Sequence, residues 1–189
     1  MRAADFMQRA LLSLMVVVLP VVSGCATVTE PVEAQHAILE IEYANFAWVP
    51  TWKGFVIDST GAIYSYDLGG KQWTVKDPNH PTTAELQAKY ATGRALVRTL
   101  AANETQSLFT LLRSAAHGTV SDPVNRCADA GVLSYSGYEG LDTPTTNKIV
   151  LRTEGDMIRE NKSQAARELA TKLAGLGLLI PISGCQPGN

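Results

Sequence analysis

The stretch AILEIEY, residues 37–43, decides the fold class, because its apolar and acidic side chains alternate with a period of two. Leu39, Ile41 and Tyr43 fall on one face of such a segment, and Glu40 and Glu42 fall on the other. This alternation is typical of a strand with one face in the core and the other toward water. The sequence therefore predicts a half-buried β-strand here.

Further β-prone segments follow it along the chain. Residues 54–57 and 62–66 flank a turn in which Asp58 can start the reversal and Gly61 can adopt a positive φ, so they predict a hairpin. Residues 94–100 fit a strand or a helix, and a strand is favoured because a helix start signal follows directly. The remaining predicted strands are residues 132–138, 148–153 and 157–159.

Three segments carry helix start signals. Thr82 and Glu85 fit a capping box, and the helix they open is expected to end at Gly93. Asn103 and Asn161 are each followed three residues later by Gln, which predicts that both are N-caps. The helices that they begin are expected to end at Gly118 and at Gly175 or Gly177. Strands, helices, strands and a helix in this order indicate one α+β domain, with a largely antiparallel sheet and helices packed on one face.

Composition limits the classes of partner. The chain has 189 residues, 46% of them hydrophobic and 18% charged, with a formal net charge of −2. One globular domain fits this size, and the apolar content is enough for a core. A weak, mixed charge balance provides no basic surface for nucleic acid, so we expect no nucleic-acid partner.

The first 24 residues have the order of a secretory signal. Arg2 and Arg9 precede an apolar run at residues 11–22, and small residues follow the run. A membrane-spanning helix needs ~20 apolar residues, and Pro20 interrupts this shorter run, so a permanent span is not expected. The sequence predicts a signal peptide that is removed.

The end of this segment, Val22-Ser23-Gly24-Cys25, resembles the lipobox of bacterial lipoproteins. The resemblance implies that Cys25 carries diacylglycerol and becomes the new N-terminus. It divides the chain into a signal peptide (1–24), a lipidated tether (25–36) and an α+β domain (37–189). Because Ala26 rather than Asp follows the cysteine, the resemblance also implies an outer-membrane anchor, on the periplasmic face.

Two cysteines remain once Cys25 is lipidated. Cys127 and Cys185 would fold in an exported compartment that favours disulfides, so we expect them to pair. A metal site and a reactive thiol are the alternatives. Neither is favoured, since the chain has no CxxC and neither cysteine has a histidine near it in sequence.

No motif in the chain specifies a reaction. His36, His80 and His117 are far apart in sequence and form no zinc-binding pattern, so no metal site is predicted. Ser134-Tyr135-Ser136-Gly137 approaches a nucleophile elbow in composition, but it lacks the first glycine. Nucleotide and calcium motifs are also missing from the sequence, and no cofactor is predicted.

The aromatic residues are unevenly distributed, and most lie between Tyr43 and Tyr90. Core packing accounts for most of them. However, residues 46–52 (FAWVPTW) form a proline-containing connection in which three large rings cannot all easily turn inward. Trp48 and Trp52 are therefore the candidate binding residues, for an envelope protein or a cell-wall partner.

Two functions follow from these patterns. The first is a non-enzymatic binding or structural module near the membrane, and the second is a periplasmic hydrolase whose residues are scattered through the sequence. The body resembles no family of known activity. Two histidines in one cleft with a carboxylate or a serine would favour the hydrolase.

Overall fold

A computed structural model describes residues 36–178 and residue 180. Within them the chain forms eight strands and three helices. In chain order these are β1 (Ala37–Asn45), β2 (Thr51–Ile57), β3 (Ala62–Asp67), α1 (Thr83–Ala91), β4 (Ala95–Thr99), α2 (Ala102–Ala115), β5 (Val124–Asn125), β6 (Val132–Glu139), β7 (Asn147–Gly155), β8 (Met157–Glu160) and α3 (Gln164–Ala174).

The strands form one sheet in the order β4-β3-β2-β1-β6-β7-β8-β5, and every neighbouring pair is antiparallel. The antiparallel sheet and the α+β class are thus confirmed. The strand that decided the fold class, β1, lies near the middle of the sheet, between β2 and β6. The turn at 58–61 joins β2 to β3 as predicted, because Asp58 accepts backbone hydrogen bonds from Thr60 and Ala62.

The helices cover both faces of the sheet, so the expectation of helices on one face is wrong. Leu39 and Ile41 pack with α2 and α3 in the larger core cluster. Ile38 belongs to a second cluster, which contains Leu86 and Tyr90 of α1. Residues 37–43 are consequently buried on both faces. Alternation predicted a solvated face here, but the acidic side chains on that face meet an oppositely charged partner.

The helix starts were only partly predicted. Thr82 is the N-cap of α1, and its capping box with Glu85 is present. The N-cap of α2 is Ala101 instead of Asn103, and that of α3 is Ser163 instead of Asn161. Asn161 is buried and its side-chain amide donates to the carbonyl of Ala115, which ends α2. Its side chain therefore links two helices.

Residues 67–81 lead from β3 to α1 as an excursion that is exposed for most of its length. Leu68 and Pro81 are buried, and Trp73 is half-buried against the α1 cluster. The edge strand β4 is exposed along all five residues and carries an irregularity opposite Ile63 and Tyr64. The other edge is the two-residue β5, which was not predicted.

Candidate functional site

A cluster of buried charges lies between β1 and α1. The ammonium group of Lys89 is 2.6 Å from Glu40 Oε1 and also contacts Glu42 Oε2. The side chains of Lys89 and Glu40 are fully buried and that of Glu42 is 9% exposed. Lys89 reaches the sheet because it shares one helix face with Leu86 and Tyr90, which are also buried.

Hydroxyl and indole groups donate hydrogen bonds to the two carboxylates. Tyr66 Oη donates to Glu40 Oε1 at 2.8 Å and to Glu42 Oε2 at 2.9 Å. Trp52 Nε1 donates to Glu42 at 2.6 Å, and Tyr138 Oη donates to Glu40 at 3.2 Å. Buried charges persist only when paired and hydrogen-bonded in this way.

Gly54 makes room for this arrangement. It pairs with Glu42 on one side and with Tyr66 on the other. A Cβ at this position would clash with the carbonyl oxygen of Ile41 in β1 and would lie 2.8 Å from the Tyr66 hydroxyl. A larger residue would therefore disturb both the pairing of β1 with β2 and the tyrosine that bridges the two carboxylates.

The electrostatic environment favours the charged forms of Glu40 and Lys89. Burial acts to raise the pKa of Glu40, but the charges of Lys89 and Lys148 and hydrogen bonds from Lys89 and Tyr66 outweigh it and lower the pKa to about 2. Burial acts to lower the pKa of Lys89, and the two glutamates outweigh it and raise that pKa. One lysine between two carboxylates leaves an excess negative charge, which Lys148 partly balances through its effect on Glu40.

Aromatic rings surround the lysine. Its Nζ lies 4.3 Å from the ring centroid of Trp73 and between 5.5 and 5.9 Å from those of Tyr90, Tyr66 and Trp52. Cation–π attraction is strongest where the cation is desolvated, as it is here. Side chains bury Lys89, Glu40 and Glu42, and the contacts of Lys89 link α1 and the 67–81 excursion to the sheet.

Sequence reasoning did not find this cluster. Glu40 and Glu42 were assigned to the less buried face of β1, and nothing near them in sequence is basic. The available signal was in α1, where Lys89 stands at an apolar position, three residues after Leu86 and beside Tyr90. A lysine on the core face of a helix requires a carboxylate partner.

The two predicted binding tryptophans have different environments. Trp48 is 82% exposed, in the connection between β1 and β2. Trp52 is half-buried and forms part of the charged cluster through its bond to Glu42. We call residues 46–50, all of which are exposed, the tip loop. The tip loop contains Trp48, which remains a candidate binding residue. Trp52 lies next to the loop, near the start of β2.

The tip loop has defined internal contacts. Asn45 accepts from the backbone of Ala47 at 2.9 Å and donates to the carbonyl of Asp129 at 3.1 Å. Phe46 packs edge-to-face on Trp52, with ring centroids 5.4 Å apart. The loop is thus attached at its start to the loop before β6 and through Phe46 to the charged cluster.

The three histidines lie apart from one another, and two of them are each near a different aspartate. His36 is 3.9 Å from Asp142, and His80 is 3.1 Å from Asp77. His117 is exposed in the turn after α2. In the described part of the chain, no hydrogen bond or ion pair joins two of these histidines, and no group of three or more potential ligands could hold a metal ion. The described residues therefore do not show the pair of histidines that would favour a hydrolase.

The serines of the 134–137 segment lie within β6. Ser136 is buried and its hydroxyl lies 3.4 Å from Glu40, so it belongs to the charged cluster. Cys25 and Cys185 lie outside the described residues, and Cys127 is half-buried in the loop before β6. The lipidation and the disulfide consequently stay predictions.

None of the helices in the described part of the chain has the length and apolar character of a membrane span. Comparison of the chain with family models, curated proteins and solved structures gave no match.

Proposed function

We propose that the chain is a membrane-anchored lipoprotein of the bacterial envelope, and that its domain binds an envelope protein through the tip loop. Exposure of Trp48 at 82%, beside Val49 at 75%, is the observation that carries the binding proposal. Exposed large apolar side chains next to each other are typical of interaction surfaces. Tryptophan is among the residues that most often dominate binding energy.

The contacts of the tip loop favour binding. The side chain of Asn45 caps the start of the loop, and Thr51 Oγ1 donates to the carbonyl of Val49 at 3.1 Å. Side chains and backbone held in one conformation lose less entropy when a partner binds. We therefore expect Trp48 to enter a pocket of the partner without a large change in the loop.

The position of the loop fits a tethered module. β1 begins at Ala37, where the proposed tether ends, and the tip loop follows its other end. Nine strand residues separate the two by ~26–30 Å. The tether would reach ~17–20 Å on average, which keeps the domain close to the membrane.

Crosslinking in cells tests the binding proposal. A photoreactive amino acid at position 48 should capture a discrete protein, whereas the same amino acid at Lys172, exposed on α3, should not. Trp52 is unsuitable as a probe position because its indole bonds to Glu42. No captured protein from position 48, or the same products from both positions, would contradict the proposal. A product containing cell-wall fragments instead would assign the loop to glycan binding.

Mass spectrometry tests the anchor separately. Protein from a bacterial host should carry acyl chains on an N-terminal Cys25, since at least two chains are needed for stable anchoring. A Cys25→Ser variant should lose the acylation and be released from the membrane fraction. An unmodified chain that keeps Met1, or one cleaved at another bond, would show that the lipobox is not used.

A further inference from the structure

A cavity of about 270 Å³ lies between α1 and the sheet, at the end of the sheet where β1 begins. Its helix wall comes from residues three to four positions apart, including Leu86 and Tyr90. Ile38 and Val56 form the facing wall, and Leu141 closes one end. The volume approaches the lower limit of known small-molecule sites.

The cavity has an apolar floor and a polar rim, because His36, Thr83 and Gln87 line it as well. Ile38, Val56, Leu86 and Tyr90 are each at least 92% buried, so they form a fixed floor. The ring of Tyr90 lines the cavity, and its hydroxyl is buried. That hydroxyl is close enough to Glu40 for the carboxylate, after burial itself, to raise its pKa. Tyr90 therefore separates the cavity from the charged cluster.

One cation at the rim, Arg94, has no acidic partner among the described residues. Arg94 lines the cavity and stacks on the ring of Tyr64 at 3.7 Å. Within the part of the chain that the structure describes, no carboxylate lies within 4 Å of its guanidinium. Asp58 also lines the rim, but its Oδ1 already accepts from Thr60 and Ala62.

We infer that this cavity binds a small amphipathic carboxylate, with the apolar body against Ile38, Val56 and Leu86 and the carboxylate on Arg94. Arginine forms bidentate, charge-assisted hydrogen bonds with carboxylates, and the apolar floor excludes a ligand that is polar throughout. Every CH₂ group buried on the floor contributes about 0.8 kcal/mol. The inference rests on residues outside the tip loop and stands independently of the binding proposed there.

Photoaffinity labelling of the full chain in isolated envelopes tests this inference. The probe is octanoate with a diazirine near its methyl end, and the labelled peptides are mapped. Label is expected on the peptides that contain residues 38, 56, 86 or 141, and excess octanoate should compete for it. Arg94→Gln should lower labelling about tenfold or more, because it removes a charge-assisted bond. Gln87→Trp, which places a large ring at the exposed rim, should lower it similarly.

The controls decide between this site and general adsorption. Lys172→Gln, on α3, should label like the parent chain, and the amide analogue of the probe should label weakly. Since Gln87 and Arg94 are exposed, both variants should keep their unfolding midpoints within a few degrees. Labelling unchanged in Arg94→Gln, equal labelling by the amide, or label confined to other peptides would overturn the inference.

Discussion

At the scale of single residues, Lys89 is the side chain on which the α1 face of the sheet most depends. A buried ion pair contributes modestly when intact, but the loss of one partner leaves an uncompensated charge. Lys89→Met keeps the volume and removes the cation, leaving Glu40 and Glu42 buried without it. We expect the free energy of unfolding to fall by ~3–5 kcal/mol, measured by urea denaturation.

Two further variants make this test specific. Lys172→Ala removes a lysine that pairs with Glu168 at 3.8 Å on the surface, and its effect should stay within about 0.5 kcal/mol. Combining Lys89→Met with Glu40→Gln and Glu42→Gln removes all three charges and should recover part of the loss. A loss below 1 kcal/mol for Lys89→Met would mean that the cluster is solvated in solution.

The lowered pKa of Glu40 predicts that the free energy of unfolding decreases in acid. Its pKa is about 2 in the folded protein, against 4.5 as the ordinary value. Because the folded pKa is lower, this stabilising contribution is complete above pH 4.5 and is lost as the pH falls toward 2. The loss is on the order of 3 kcal/mol. The urea midpoint should fall less steeply between pH 6 and pH 2 in Glu40→Gln than in the parent chain. If both midpoints fall equally steeply, other carboxylates cause the loss of stability in acid.

At the scale of secondary-structure elements, two asparagines that look alike in sequence have different roles. Asn161 is 2% exposed, donates to the carbonyls of Ala115 and Val150, and accepts from the backbone of Ser163. Asn103 is exposed within the first turn of α2. Asn161→Ala should cost ~2–3 kcal/mol because it removes three hydrogen bonds of a buried amide, whereas Asn103→Ala should change stability by less than about 0.5 kcal/mol. Thermal or urea unfolding of the two variants measures this, and equal effects would contradict it.

This pair also shows how far the sequence predicts the elements. Local signals were sufficient where the partner is local, as in the capping box of Thr82 and Glu85 and the turn at Asp58. They failed where the partner is distant in sequence. Asn161 bonds to the end of α2, and Glu40 meets Lys89, which is 49 residues away. Periodicity cannot distinguish a solvated acidic face from one that is covered by a helix carrying a lysine.

At the scale of the whole molecule, the two faces of the sheet are covered by helices with different kinds of contact. α2 and α3 cover one face with an apolar core, and α1 covers the other face with the charged cluster and fewer apolar side chains. The sequence indicated that the three rings of the 46–52 connection cannot all easily turn inward, but not that Trp48 rather than Trp52 is the exposed tryptophan. The cavity beside Arg94 was not predicted from the sequence, because its walls come from segments far apart along the chain.

The predicted Cys127–Cys185 disulfide would join the C-terminal segment to the loop before β6. Cys127 is half-buried in that loop. The loop is held to the sheet, because the hydroxyl of Tyr43 donates to the carbonyl of Ala130 at 3.0 Å.

If the two cysteines pair, the disulfide closes a long loop that includes β6, β7, β8 and α3, and reduction should lower the free energy of unfolding by ~4 kcal/mol. A non-reducing peptide map of exported protein should recover the two cysteine peptides as one linked species. The double variant Cys127→Ser with Cys185→Ser should unfold at the same midpoint with and without reductant, unlike the parent chain. Two unlinked cysteine peptides from exported protein would disprove the pairing. A midpoint insensitive to reductant in a linked parent chain would show that the unfolded state, already compact, gains little entropy when the bond is removed.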